Sequence, residues 1–331
     1  TPDRPVYLDA FLEDAIELDV DALCDTEECY VGSVLEHIEE CGIHSGDSAC
    51  CWPPFSLSEK IVDQIRDITK KLALACGIRG LLNIQYAVRD EHVFVIELNP
   101  RASRTVPFSS KATGVSLAKY ASRIMAGEKI SELRAQGLLP DDNRTVDYYA
   151  VKEAVMPWSR FPGADSILGP EMKSTGEVMG IARTFPAAYA KTREAVENKL
   201  PEQGSVFISV CDRDKRAIAP VAMALENLGY GIYTTGGTAK TLRAAGIDCT
   251  TVNRISDGHP NVVDLMRDKT VSFIINTPHG HEAHSDGTKM RAEAVSQGIT
   301  CVTAMSAATA LIQALAAARK SEPETFALQD L

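Results

Sequence analysis

His92-Val93-Phe94-Val95-Ile96-Glu97-Leu98-Asn99-Pro100-Arg101 is the stretch on which the fold of this chain turns. His92 to Leu98 is almost wholly apolar and β-prone, the pattern of a central strand covered on both faces. Such a strand does not end in a carboxylate and a carboxamide unless something partners them. Asn99-Pro100 then breaks it. Glu97 and Asn99 stand two apart, so on an extended backbone their side chains leave one face and can share a cation. Mg²⁺ takes one or two protein oxygens together with substrate phosphates, and Gln85, on a preceding strand from Leu81 to Val88, can add a neutral oxygen. Arg101 and Arg104 follow at once, placed to neutralise charge on a transferring phosphoryl group. Taken alone, an ion pair between Glu97 and Arg101 at a strand end explains the pattern equally well.

Working outward, Arg89-Asp90-Glu91 joins the two strands as a hairpin that presents Gln85, Glu97 and Asn99 to a common side. Leu57 to Cys76 predicts a helix, with Ile61, Ile65, Ile68 and Leu72 at helical spacing after a serine cap. Val6 to Asp9 and Ala15 to Leu23 are strand-like, and Gly42 to Ser48 is a polar loop. On alternation alone Glu17 reads as a solvated residue of an edge strand. Helices are expected at Val115 to Met125 and Ile130 to Gln136, each closed by a glycine. Tyr148 to Val155 and Glu177 to Ala182 read as strands, Ala187 to Asn198 as a helix, and Pro201 to Gly204 as a linker.

A different rhythm begins at Ser205. Strands at 205–210, 230–234, 249–253, 271–276 and 300–303 alternate with helices at 215–228, 238–245, 289–297 and 307–318. That spacing implies a doubly wound parallel sheet, which binds ligands at the carboxyl ends of its strands. Tyr230 to Lys240 is the sharpest local signal: a strand runs through Thr234-Thr235 into Gly236-Gly237 and a helix starting at Thr238. Paired glycines admit an anion close to the backbone, and the helix start aims free N–H groups at it. Lys215, Arg254, Asn276 and Thr277 lie at other strand ends of the same sheet, where they can converge on that phosphate cradle.

Composition limits the alternatives. The net charge of −11 offers no basic face for nucleic acid. No apolar run approaches the ~18 residues of a membrane span, and no signal peptide opens the chain. Nine cysteines, an odd number without a CxxC pair, point to free thiols and a reducing cytoplasmic setting. His279, His281 and His284 lack nearby ligands in register and read as a polar loop.

Gln85, Glu97, Asn99, Arg101 and Arg104 resemble the carboxy-terminal lobe of ATP-grasp ligases. Further blocks narrow the likeness: Glu17 to Ala22, Gly42 to Ser48, Asn99 to Phe108, Ser110 to Gly114 and Ser174 to Gly180. Together they resemble the large subunit of carbamoyl-phosphate synthase, in the family's order, from about residue 5 to about residue 318. The resemblance implies an antiparallel ATP-grasp lobe (1–137), the remainder of the synthetic domain with a connector (138–200), and a methylglyoxal-synthase-like allosteric domain (201–331). Family members are far longer, which implies a carboxy-terminal fragment that is inactive alone.

The same resemblance implies transfer of the ATP γ-phosphoryl to carbamate for pyrimidine and arginine biosynthesis. Mg²⁺ or Mn²⁺ would sit on Gln85, Glu97 and Asn99, with Arg101 and Arg104 beside the phosphoryl acceptor. Leu12 and Glu17 would contact the adenosine, and Gly42, Ile43, His44 and Ser45 would form a loop beside the ribose and purine. Ammonia would come from a glutaminase small subunit. Lys215, Thr235, Thr238, Arg254, Asn276 and Thr277 match positions for a nucleotide effector of the UMP or IMP class. Pro278-His279-Gly280 departs from the family pattern and leaves the effector's identity open. Glu39, Asp47 and Glu153 match an ornithine site, but Cys301 stands where a tyrosine is expected, which argues against an ornithine response. Homo-oligomerisation is left open by the sequence. Two other classes share parts of the pattern: a stand-alone effector-binding module, and a relative of methylglyoxal synthase or IMP cyclohydrolase, which would lack the Gln85, Glu97 and Asn99 lobe.

Overall fold

The computed structural model describes residues 6, 8, 10–141, 145–196, 201–277, 281–320, 324–325 and 327–330. In chain order it builds β1 (Ile16–Asp25), β2 (Cys29–His37), β3 (Cys50–Trp52), α1 (Glu59–Ala75), β4 (Arg79–Arg89) and β5 (His92–Asn99). Next come α2 (Val106–Thr113), α3 (Leu117–Met125), α4 (Ile130–Ala135), β6 (Tyr149–Val155), β7 (Gly176–Ala182) and α5 (Phe185–Ala195). The remainder is β8 (Ser205–Val210), α6 (Lys215–Asn227), β9 (Gly231–Thr235), α7 (Gly236–Ala244), β10 (Thr250–Val252) and α8 (Val262–Arg267). It ends with β11 (Phe273–Thr277), α9 (His281–Gln297), β12 (Thr300–Val302) and α10 (Met305–Ala318). These elements form two compact units, Thr1–Gly42 with Ser56–Asp142, and Ile43–Phe55 with Asn143–Leu331.

In the first unit the strands run β5-β4-β1-β2, every neighbouring pair antiparallel. Leu18, Val20 and Ala22 of β1 lie on one face with Leu82, Ile84 and Tyr86 of β4, and α1 covers them through Ile61, Val62 and Ile65. Alternate apolar side chains of β1 and β4 thus meet the 3.6-residue stripe of α1. A second cluster joins Leu23 and Tyr30 to Val106, Leu117, Tyr120 and Ile124 of α2 and α3. The β4–β5 hairpin turns on Asp90 and Glu91, both left-handed at φ 51° and 61°, the twist that a two-residue connection needs to match paired strands.

Two expectations are corrected here. β5 is the edge strand of this sheet, not a central one, and Phe94, Val95 and Ile96 are 40–48% exposed. An apolar run reports a demand for cover without saying whether a neighbouring strand supplies it. Conversely, β1 is interior to its sheet, so Glu17 is a buried carboxylate at 4% exposure and not a solvated edge residue. Val6 and Leu8 lie exposed outside any strand; Tyr7 and Asp9 are outside the described residues.

In the second unit β3, β6 and β7 pair antiparallel, and α5 packs on β6 and β7 and against α10. The second sheet is fully parallel, in the order β10-β9-β8-β11-β12. One face packs on α6, α7 and α10 through Ile218, Leu225, Leu242 and Leu311, and the other on α8 and α9 through Met266 and Met290. This is the doubly wound sheet expected from the alternation. Successive strands lead away from β8 in both directions, so the order reverses there, the topology in which ligands bind at the carboxyl ends of the strands. All nine cysteines are free thiols, and among the described residues no helix is long and apolar enough to cross a membrane.

Candidate functional site

The face of the first sheet turned away from α1 carries two polar rungs. Asp19 of β1 stands opposite Gln85 of β4, which stands opposite Glu97 of β5; one rung along, Asp21, Asn83 and Asn99 repeat the arrangement. A bulge creates it. Val95 pairs with Tyr86 and Glu97 with Gln85, so Ile96 has no partner of its own and the side-chain alternation shifts by one. Without that extra residue Glu97 and Asn99 would fall on the face occupied by Tyr86. The bulge brings them round to Gln85 and Asn83.

The side chains touch as the rungs require. Asn99 Nδ2 donates to Glu97 Oε1 at 2.8 Å, and Gln85 Nε2 approaches Asp19 Oδ1 at 3.5 Å. Asn83 Nδ2 donates to Asp19 Oδ1 at 3.0 Å and to Asp21 Oδ1 at 3.1 Å. Asp19 Oδ2 also meets His37 Nε2 at 2.8 Å, while His37 Nδ1 is buried with no partner among the described residues. Glu97 itself is exposed, and Gln85 and Asn99 are partly so. One carboxylate with two carboxamide oxygens on an open face suits a small hard cation whose remaining ligands are phosphate oxygens. Among the described residues no three or more His, Cys, Asp or Glu gather as a metal-binding cluster.

Asp21 is fully buried and accepts from four groups: Ser103 Oγ at 2.6 Å, Thr105 Oγ1 at 2.7 Å, Ser109 Oγ at 2.9 Å and Asn83. Burial pushes its carboxyl above the usual range, and the hydroxyl donors pull it back. Arg101 and Arg104 are exposed on the loop that Ser103 and Thr105 tether; Arg101 Nη1 donates to the Ala102 carbonyl at 3.1 Å.

Glu17 Oε2 accepts from the Gly42 backbone N–H at 2.7 Å, so the structure brings those two residues together. Gly42 needs its left-handed φ of 94° there, and burial together with the Glu17 charge pushes the adjacent Cys41 thiol up to about 12. Leu12 is half-buried ahead of β1. In the second unit, His44 N–H donates to Gly169 O at 2.8 Å, and its Nδ1 accepts from Gly46 N–H at 3.0 Å. Lys152, almost fully buried, donates to the Ser45 carbonyl at 2.7 Å, whereas Ile43 is half-buried in the same loop. Asp47 accepts both Lys173 N–H and Ser174 N–H at 2.7 and 2.8 Å, and Glu153 is held by Thr192 and Arg193. Those two carboxylates are therefore already engaged by the chain.

At the carboxyl ends of β8, β9 and β11 a second cluster forms. Thr235 Oγ1 lies 3.3 Å from Ser209 Oγ, Thr238 Oγ1 accepts from Val210 N–H at 3.3 Å, and Asn276 Nδ2 donates to Ser209 O at 2.9 Å. Thr277 Oγ1 accepts from Cys211 N–H at 3.3 Å. A Cβ on Gly237 would sit 3.5 Å from Lys215 Nζ, which puts the ammonium over the start of α7. Lys215, Thr235, Thr238, Asn276 and Thr277 thus share one strand-end cluster, with Asn276 Oδ1 buried and unpartnered among the described residues. Arg254 is exposed just after β10, outside these contacts. Pro278, His279 and Gly280 lie outside the described residues, as do the side chains of His281 and His284.

Sequence reasoning did not single out Asp19, Asp21, His37, Asn83 or Ser209. The signal for three acids was present, since Glu17, Asp19 and Asp21 recur at period two within an otherwise apolar strand.

Comparison with known proteins agrees with this two-part organisation. Residues 2–133 match the model of the carbamoyl-phosphate synthase L chain, ATP binding domain, and residues 217–303 match the MGS-like domain. The carbamoyl phosphate synthase large chain of Acidobacterium capsulatum is 48% identical over 99% of this chain and 30% of its own length. That of Micrococcus luteus is 49% identical over 100% of this chain and 31% of its own. The chain therefore spans about a third of the length of these relatives. Among solved structures, the biotin carboxylase domain of a single-chain bacterial carboxylase aligns over 55% of this chain and 47% of its own, with a TM-score of 0.44 and 17% identity. From the sequence matches, the chain is a homologue of the carbamoyl-phosphate synthase large-chain family, through both its ATP-binding and its MGS-like domains.

Proposed function

We propose that these residues work within a glutamine-dependent carbamoyl-phosphate synthase large chain, phosphorylating carbamate with MgATP under control of a nucleotide effector. The observation that carries this reading is the bulge at Ile96, which sets Glu97 and Asn99 beside Gln85 on an open sheet face. In it, residues 1–137 form the carboxy-terminal ATP-grasp lobe, 138–200 the rest of the synthetic domain, and 201–331 the regulatory domain.

Glu97, Asn99 and Gln85 hold the divalent cation, which when bound offsets charge on the phosphate oxygens. Arg101 and Arg104 face the acceptor and stabilise charge spread over the transferring phosphoryl group. Glu17 and the loop from Gly42 to Ser45 orient the nucleoside, with Leu12 beside it; Glu17 keeps that loop start in place through the Gly42 N–H. His44 positions and does not abstract a proton, because its Nδ1 is already an acceptor and phosphoryl transfer to a carbamate anion requires no base. Lys215, Thr235, Thr238, Asn276 and Thr277, with Arg254 at the rim, bind the phosphate and ribose of a nucleoside monophosphate of the UMP or IMP class. An ornithine response is not expected, since Asp47 and Glu153 spend their oxygens on the chain's own donors. A glutaminase small subunit supplies ammonia.

Purified as these 331 residues, the protein is expected to show no ATP-dependent carbamoyl-phosphate formation, because ATP-grasp sites clamp nucleotide between two lobes. Calorimetry should nevertheless detect UMP or IMP binding and none for ornithine. Sustained carbamoyl-phosphate synthesis by the 331-residue protein would overturn its catalytic incompleteness; silence toward both nucleotides would overturn the regulatory assignment.

A further inference from the structure

We propose that Asp21 is a positioning residue for phosphoryl transfer: by holding Ser103 and Thr105 it fixes the loop that carries Arg101 and Arg104. The inference rests on the reading of those arginines given above.

Residues 100–105 connect the end of β5 at Asn99 to the start of α2 at Val106, with no backbone ladder to hold them. Both arginine side chains are exposed, so neither anchors the loop through its own packing. The anchors are the residues around Arg104. Ser103 and Thr105 point inward and donate to opposite oxygens of Asp21, at 2.6 and 2.7 Å, and their own hydroxyls lie 2.7 Å apart. Arg104, between these two anchored residues, stays exposed.

Asp21 is itself immobilised. Asn83 Nδ2 binds it from β4, and Ser109 Oγ, linked to Ser33 of β2 at 2.8 Å, binds it from α2. A buried carboxylate is costly unless its lone pairs are filled, and here four donors fill them. What a carboxylate adds is directional acceptance from two hydroxyls at once, on the rung that also holds Asn99.

The test uses the full-length large chain assembled with its small subunit. Asp21→Asn keeps the volume but replaces one acceptor oxygen with a donor. It is expected to lower kcat for carbamoyl-phosphate formation about 10- to 100-fold, as for a reacting group displaced by about an ångström, with KM for ATP changed less than about threefold. In a background that already carries both Arg101→Ala and Arg104→Ala, it should lower kcat no further. Thr105→Val, which removes a single hydroxyl at constant shape, should lower kcat by a smaller factor with the same unmoved KM, and it carries the test if Asp21→Asn does not fold. An unchanged kcat in these variants, a parallel loss in KM, or a further loss from Asp21→Asn in the double-arginine background would overturn the inference while leaving the arginine reading intact. Full activity in both Arg101→Ala and Arg104→Ala would overturn that reading and the inference with it.

Discussion

Glu97→Gln in the full-length large chain is expected to lower carbamoyl-phosphate formation about 100-fold or more, with the folded state unperturbed. The substitution conserves shape and removes one negative charge from the only carboxylate that the bulged strand brings to the Gln85 and Asn99 amides. Amide oxygens alone are weak ligands for a hard cation, so the loss falls on transition-state charge compensation and not on packing. Glu97 is exposed, which is why stability should stay within about 0.5 kcal/mol. Steady-state kinetics and a thermal melt on the same preparation separate the two quantities. Wild-type turnover in the variant would remove Glu97 from the metal site.

The largest effect on stability is expected at Gly180. A Cβ built there would meet the Ala188 carbonyl oxygen at 2.3 Å and carbons of Lys191 and Thr192 at 3.0 Å. Gly180 lies on β7 opposite Val151 of β6, and the α5 backbone passes directly over it. The obstacle is a helix backbone and not the far end of a flexible side chain, so it can yield only if α5 lifts from its sheet. Gly180→Ala should therefore cost about 3 kcal/mol in chemical denaturation, at the upper end for overpacking. A loss below about 0.5 kcal/mol would show that α5 moves freely and that the close approach is not required. Gly180 closes the Ser174 to Gly180 block, so its place in that pattern has a steric cause.

Much of the fold was legible because the relevant signals are local. The α1 stripe, the hairpin at Asp90-Glu91 and the strand–helix alternation after Ser205 each depend on residues within one or two turns or strands of one another. Misread elements share identifiable causes. The sequence patterns predict no helix at 106–113 and start the later one at Ala187, yet Pro107 and Pro186 sit in the first turns of α2 and α5, where a missing N–H costs nothing. The early start of α9, at His281 and not Lys289, falls in a polar, weakly amphipathic stretch with a glycine at 287.

The candidate site was legible in its residue types and not in its register. That Glu97 and Asn99 share a face follows from period two alone. Which face they share depends on Ile96 being bulged, a pairing property that appears only when β5 meets β4. The same holds for Asp19 and Asp21. Their spacing from Glu17 was visible, but the carboxamides and hydroxyls that justify burying them come from positions 62 to 88 residues away. Arg254 was grouped with the phosphate cradle by its place after a strand, and the structure leaves it exposed outside the side-chain contacts of that cluster.

Electron paramagnetic resonance of Mn²⁺ titrated into the full-length protein with ADP tests the central claim most directly. The account predicts a protein-bound Mn²⁺·ADP signal from the site containing Gln85, Glu97 and Asn99. Occupancy of that site should drop at least about tenfold in Glu97→Gln. An identical bound signal in the wild-type protein and the variant, at matched Mn²⁺ and ADP concentrations, would contradict it.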